Sequence, residues 1–168
     1  MNAVNDIHIC LADYAVPDHA LALVTVLDAY ARDAMGGGQA LSEYVRLNVV
    51  NALAKLPQAF SVLAFEGSGF KKPVGLVNCM QGFSTFACKP LVNIHDLAVL
   101  SGYRGQRIAE RMLEMVEAIA RERGACKLTL EVLSGNSSAM RLYDRVGFAQ
   151  YQLDPAAGKA EFLQKWLD

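Results

Sequence analysis

The segment Asp96-Leu97-Ala98-Val99-Leu100-Ser101-Gly102-Tyr103-Arg104-Gly105-Gln106-Arg107-Ile108-Ala109 constrains the chain most. An apolar strand pattern runs through a polar turn directly into an amphipathic helix. Gly102 and Gly105 allow the backbone a positive φ and expose successive N–H groups, and a helix beginning near Gln106 directs its positive end at the same point. Arg104 and Arg107 add forked donors suited to phosphate oxygens. The junction is therefore expected to hold an anion. Two nucleotide motifs do not apply, since there is neither Gly-Lys-Ser/Thr at the helix start nor G-x-G-x-x-G.

The helix carries Ile108, Ala109, Met112, Leu113, Val116, Ile119 and Ala120 on one face, with Glu110, Glu114, Glu117 and Arg121 opposite, and it ends at Gly124. Leu128 to Leu133 reads as the next strand, so strand, helix and strand form a parallel crossover. Upstream, Ile7–Ala12 is a short strand. A helix follows over roughly His19 to Ala34 with Asp18 as its cap, and Gly36-Gly37-Gly38 closes it. Ser42 caps a second helix, whose Tyr44, Val45, Leu47, Val49, Val50, Leu53 and Leu56 supply an apolar face up to Pro57. Phe60–Phe65 and Pro73–Met80 read as adjacent strands joined by a glycine-bearing loop. In Gln81–Pro90 no period is clean. Its aromatics, Phe83 and Phe86, either line a pocket or end a bent strand, and core packing suits Phe86 better than Phe83. Ala149–Leu153 and Ala160–Leu167 are expected to close the chain as an antiparallel hairpin around 154–158.

With 168 residues, 53% of them hydrophobic, the chain suits one domain, 1–168, with a sizeable core. A formal charge of −1 gives no general attraction to nucleic acid or to a membrane surface. No apolar run approaches a membrane span, and the first residues lack the pattern of a signal peptide, so a cytoplasmic location is expected. The four cysteines show no C-x-x-C pair and the three histidines no ligand spacing, so no metal is expected.

The segment Arg104-Gly105-Gln106-Arg107-Ile108-Ala109 resembles the coenzyme A pyrophosphate loop of the Gcn5-related N-acetyltransferases (GNAT superfamily), Arg/Gln-x-x-Gly-x-Gly/Ala. It departs at Arg107, where that family usually has glycine. The side chain there either points outward and adds a cationic contact, which we favour, or crowds the loop. A second resemblance lies in Asn136-Ser137-Ser138-Ala139-Met140-Arg141-Leu142-Tyr143-Asp144-Arg145-Val146-Gly147-Phe148, which meets every named position of Asn-x-x-Ala-x-x-x-Tyr-x-x-x-Gly-Phe. Read without the resemblance, Asn136 is a helix cap and Tyr143 an amphipathic packing residue.

The resemblance implies an α/β fold of GNAT type, with a mixed, centrally splayed sheet of about six or seven strands flanked by about four helices. It implies acetyl-CoA as cosubstrate, with Leu97, Ala98 and Val99 along the thioester and Arg104 to Ala109 at the pyrophosphate. Asn136 would meet the pantetheine amides. It further implies direct acetyl transfer to an amine, with Tyr143 protonating the departing thiolate. A base for the incoming ammonium is sought among His95, Asp96 and Glu131. Strict alternation along the strand would place His95, Leu97 and Val99 on one face and Ile94, Asp96 and Ala98 on the other. Gly82-Phe83-Ser84-Thr85-Phe86 and Ile94-His95-Asp96-Leu97 resemble the diamine and thialysine branch, with His95 where that branch has glutamate. The expected partners are coenzyme A and a small primary amine. A protein amine is the next acceptor, and dimers are frequent in the family. A non-catalytic acetyl-CoA sensor is the competing reading.

Overall fold

In the computed structural model, the residues described are 6–67, 69, 70, 72–151, 154, 156 and 158–167. The chain divides into two units, Met1–Leu130 and Glu131–Asp168.

The first unit is built on a five-stranded sheet in the order β1 (Ile7–Leu11), β2 (Ala59–Glu66), β3 (Pro73–Ser84), β4 (Lys89–Val99) and β5 (Leu128–Leu130). The first three pairings are antiparallel, and β4 pairs with β5 in parallel. The central strands are apolar and β-branched on both sides, as a sheet covered by helices on both faces requires. Helices α1 (Pro17–Arg32) and α2 (Glu43–Ala54) contact the sheet, and Ala22, Leu23 and Val26 of α1 join Leu63, Phe65, Leu76 and Ala98 in one core cluster. Helix α3 (Ile108–Glu122) connects β4 to β5 and buries Ile108, Met112, Leu113, Val116 and Ala120. Gly75 is needed beneath it, because a Cβ there would lie 2.8 Å from Met112 Cε and 3.3 Å from the Ala64 Cβ.

Several local expectations change. Helix α1 is capped by Val16 without a side-chain hydrogen bond, because Pro17 already supplies the first helical position and Asp18 lies inside the first turn. Ser42 does cap α2, its hydroxyl accepting from the Val45 N–H at 3.2 Å. The apolar face of α2 is narrower than expected: Leu53 is buried with Val49 and Val50 packed against the same core cluster, while Tyr44, Leu47 and Leu56 are exposed. Residues 81–90 form the end of a long β3–β4 hairpin. Phe86 sits at the hairpin tip, wholly exposed, rather than tucked into the core, and Phe83 is also exposed.

In the second unit, α4 (Ser137–Arg145) turns Asn136, Ala139, Leu142, Tyr143 and Val146 to its less exposed side. The strand expected to reach Leu133 ends at Leu130. None of the described residues in 149–167 is in a strand, while 152, 153, 155 and 157 lie outside the described residues. The sheet accordingly has five strands among the described residues, not six or seven. The expected closing strand included the adjacent apolar pairs Phe162-Leu163 and Trp166-Leu167. All four are exposed.

Candidate active site

The turn between β4 and α3 is an open anion seat. A short 3-10 turn over Ser101–Tyr103 leads into Arg104, and Gly105 follows at φ 80°. Gly102 does not take a positive φ; that geometry falls instead on Arg107, with φ 58° and ψ 20°. Arg107 is the N-cap residue of α3, which starts at Ile108 rather than near Gln106, and no side chain caps this terminus. The first N–H groups of α3 thus keep their donors for a ligand, at the positive end of a 15-residue helix. A left-handed conformation costs an L-residue about 1–2 kcal/mol. Arg107 therefore performs, under strain, the backbone task that a glycine would perform freely. Its side chain is exposed.

Arg104 is fixed from two directions. Its Nε donates to the Val99 carbonyl at 3.1 Å, and its Nη2 donates to Asp33 Oδ2 at 2.8 Å. The Arg104 guanidinium, together with the Met35 N–H on the same carboxylate, holds Asp33 below the usual carboxylate range. Tyr103 donates to Glu66 at 2.8 Å, and Lys72 pairs with the same carboxylate, which ties the turn to the end of β2.

Beside this seat, β4 loses its outer neighbour. Its pairing with β5 runs Val92 to Leu128, Asn93 to Thr129 and Ile94 to Leu130, and stops there. Leu97, Ala98 and Val99 remain paired to β3 alone among the described residues. The Leu100 N–H bonds to the Val74 carbonyl on the β3 side. Backbone groups alternate between the two edges of a strand, so Leu97 and Val99 direct theirs to the open edge. These residues suit an extended acyl-thioester that takes backbone hydrogen bonds.

The register of β4 corrects the expected parity. Asp96 pairs with Asn78, but Ile94 pairs with Cys79, so His95 is an extra residue in a bulge. Ile94 consequently shares a face with Leu97 and Val99, whereas Asn93 shares one with Asp96 and Ala98. Asp96 ends the regular run of pairs that starts at Val99 and Gly75, opposite Asn78, and the Asn78 Nδ2 donates to Asp96 Oδ2 at 2.9 Å. His95 is exposed and Asp96 half-buried. Asn78 and Ser61, both buried, went unremarked in the sequence; the available signal was one polar residue set inside each of two apolar strands.

In the second unit, Asn136 caps α4, its Oδ1 accepting from the Ala139 N–H at 3.1 Å. Tyr143 is half-buried, its ring edge-on to Phe148 with centroids 5.7 Å apart. Glu131 is exposed. Among the thiols, burial pushes Cys79 up to about 12 and also raises Cys10, so neither supplies a thiolate nucleophile near neutral pH. Among the described residues no group of three or more His, Cys, Asp or Glu side chains is placed to hold a metal ion, and no helix is long and apolar enough to cross a membrane.

A model of the acetyltransferase (GNAT) family matches residues 23–148. The chain belongs to the GNAT family. The match takes in both segments singled out above and the whole of the β4–α3 turn. Among curated proteins, streptothricin acetyltransferase of Streptomyces lavendulae is 37% identical over 86 residues, 49% of this chain and 46% of that protein. Thialysine N-epsilon-acetyltransferase of Caenorhabditis elegans is 26% identical over 138 residues, 79% of this chain and 78% of that protein. The chain thus spans about half the length of the first of these relatives. A solved structure described as a probable acetyltransferase superposes with a TM-score of 0.78 at 20% identity, covering 96% of this chain and 99% of that one. That likeness carries the α/β fold with its mixed sheet. GNAT acetyltransferases use acetyl-CoA, and the uncapped α3 terminus and open β4 edge have the donor chemistry such a ligand needs.

Proposed function

We propose that residues 1–168 act as one N-acetyltransferase domain that moves an acetyl group from acetyl-CoA to a primary amine within a ternary complex. The observation that carries this reading is the pairing of the α3 N-terminus, which has no side-chain cap among the described residues and is entered through left-handed Gly105 and Arg107, with the Leu97–Val99 edge of β4, which no strand among the described residues pairs. The first suits a pyrophosphate held by Arg104, Gly105, Gln106, Arg107, Ile108 and Ala109. The second suits a thioester at Leu97, Ala98 and Val99, and by the family resemblance Asn136 meets the pantetheine amides.

The amine nitrogen forms a bond to the acetyl carbon and sheds one further proton to water, the carbon–sulfur bond breaks, and the sulfur leaves as coenzyme A thiolate. The acceptor arrives as an ammonium and gives up one proton to Asp96, directly or through a water; Asp96 is favoured over His95 for this role because it lies opposite the buried Asn78, whose amide holds its carboxylate, whereas His95 is the extra residue of the bulge. Tyr143 hydrogen-bonds the departing sulfur as its charge develops. An ordinary phenol, near 10, lies above an ordinary thiol, near 8.5, so complete proton transfer would be uphill by about 2 kcal/mol, and the phenol keeps its proton as a hydrogen-bond donor. Direct transfer is consistent with the raised Cys10 and Cys79 thiols. Relatives named for streptothricin and for the Nε of thialysine support a small amine-bearing acceptor.

The test is release of coenzyme A thiol from acetyl-CoA with a panel of diamines, polyamines, free amino acids, aminoglycosides and short peptides. Release above the amine-free rate for a small amine is the expected result. Silence across the panel, with acetyl-CoA still raising the melting temperature, would overturn the small-amine reading in favour of a protein acceptor or a sensor.

A further inference from the structure

A row of four polar side chains crosses one face of the sheet from the β1 end to β4. Tyr14 Oη lies 2.8 Å from Ser61 Oγ, Ser61 Oγ 2.6 Å from Asn78 Oδ1, and Asn78 Nδ2 2.9 Å from Asp96 Oδ2. Ser61 is fully buried and Asn78 is 4% exposed, both inside otherwise apolar strands. An apolar pair of similar shape would be cheaper to bury, because each polar group here must keep a partner or lose about 1–3 kcal/mol. A purely structural role is also poorly served by a row that ends on a half-exposed carboxylate.

The direction of the row follows from its end. An ionised carboxylate only accepts, so the Asn78 amide must turn its nitrogen to Asp96 and its oxygen to Ser61. Ser61 spends its one proton on that oxygen, and Tyr14 must then donate to Ser61. All three bonds point the same way, and each donor strengthens the next. Burial raises the Tyr14 phenol, more than its bond to Ser61 lowers it, so the first donor keeps its proton. The cross-strand register sets this arrangement, since Asp96 lies opposite Asn78 at the end of the regular run that starts at Val99 and Gly75.

We infer that Asn78, Ser61 and Tyr14 are positioning residues that fix the orientation of the Asp96 carboxylate toward the acceptor ammonium. This rests on the reading that Asp96 serves the acceptor amine. They touch neither substrate, and their effect on turnover passes through Asp96.

The experiment is a double-mutant cycle in steady-state kinetics, using the amine turned over fastest in the panel above, with acetyl-CoA affinity by calorimetry as the check on folding. Asp96→Ala is expected to lower kcat/KM for the amine about 100-fold. Asn78→Ala and Ser61→Ala are each expected to lower it about tenfold, with acetyl-CoA affinity unchanged. In the Asp96→Ala background the Asn78→Ala loss disappears, so the double variant equals Asp96→Ala alone. Losses that multiply in the double variant would overturn the positioning role while leaving Asp96 in place. Full activity of Asp96→Ala would instead overturn the reading of Asp96, and the positioning role with it. Should Asn78→Ala fail to fold, Tyr14→Phe keeps the ring and removes only the first donor; a loss of about threefold that vanishes with Asp96→Ala supports the inference, and an equal loss in both backgrounds refutes it.

Discussion

Arg104 links the entrance of α3 to the exit of α1, with its Nη2 2.8 Å from Asp33 Oδ2 while its Nε holds the Val99 carbonyl. One side chain thus fixes the anion loop against both the last residue of β4 and the C-cap of the first helix. Asp33→Ala should free this guanidinium and weaken acetyl-CoA binding several-fold, read by calorimetry. The cost to stability is small, about 1 kcal/mol or less, because the pair is largely exposed. Asp33 sits below its ordinary range in the folded chain, as does Asp28 beside Arg32. Their contribution is therefore present at neutral pH and is lost as the pH falls through their folded-state values. The melting difference between Asp33→Ala and the parent should shrink on acidification.

Arg107 separates charge from backbone. Arg107→Gly removes the left-handed strain but adds chain entropy in the unfolded state, so the two terms nearly offset and the ligand-free protein should gain no more than about 1 kcal/mol. Arg107→Ala keeps the strain and removes the charge. Both variants should bind acetyl-CoA several-fold more weakly at low salt, and the deficit should narrow at high salt as screening removes the cationic contribution. Calorimetry at two ionic strengths reads this directly; binding that tightens in Arg107→Gly would mean that the side chain crowds the seat.

The sequence announced the seat and the α3 crossover because each depends on a local pattern: two motif segments, and an apolar stripe of helical period that α3 buries at Ile108, Met112, Leu113, Val116 and Ala120. Alternation placed Asp96 with Ala98 and opposite Leu97 and Val99, as the register has it, but the face of Ile94 was not legible. A bulge inserts one residue without changing composition, so regular alternation put Ile94 on the wrong face. Phe86 was misplaced for a related reason, since an aromatic at a hairpin tip carries no local sign of exposure. The polar row was invisible because Tyr14, Ser61, Asn78 and Asp96 meet only through cross-strand register. Arg107 was flagged as a departure from a family pattern, but its positive φ is a property of the turn and not of its residue type.

Gly36 and Gly75 should respond differently to the same change. A Cβ at Gly36 would lie 1.9 Å from the Tyr30 carbonyl oxygen, a backbone atom of α1 that cannot yield without breaking the helix end. A Cβ at Gly75 meets chiefly the flexible end of Met112. Gly36→Ala is expected to cost about 3 kcal/mol or more, or roughly 6–12 °C in melting temperature. Gly75→Ala should cost about 1–3 kcal/mol as Met112 adjusts. Paired thermal melts decide the order, and a milder loss for Gly36→Ala would show that the α1 exit can rearrange.

Tyr143 is proposed to act on the leaving sulfur, and a phenol-to-phenyl change tests that with little other disturbance. Its ring is held edge-on by Phe148, and Tyr143→Phe retains that contact and the stripe of α4. Acetyl-CoA affinity and melting temperature, measured on the same variant, separate a loss of binding or fold from a loss of chemistry. Turnover should fall about 100-fold, the scale of a lost hydrogen-bond donor to developing charge. The size of the loss should depend on the leaving group: a thioester whose thiol is more acidic needs less help, so an activated acetyl thioester should recover part of the lost rate. Equal deficits for the ordinary and the activated donor would place the role of Tyr143 in binding or packing, whereas full turnover with acetyl-CoA would remove it from the mechanism.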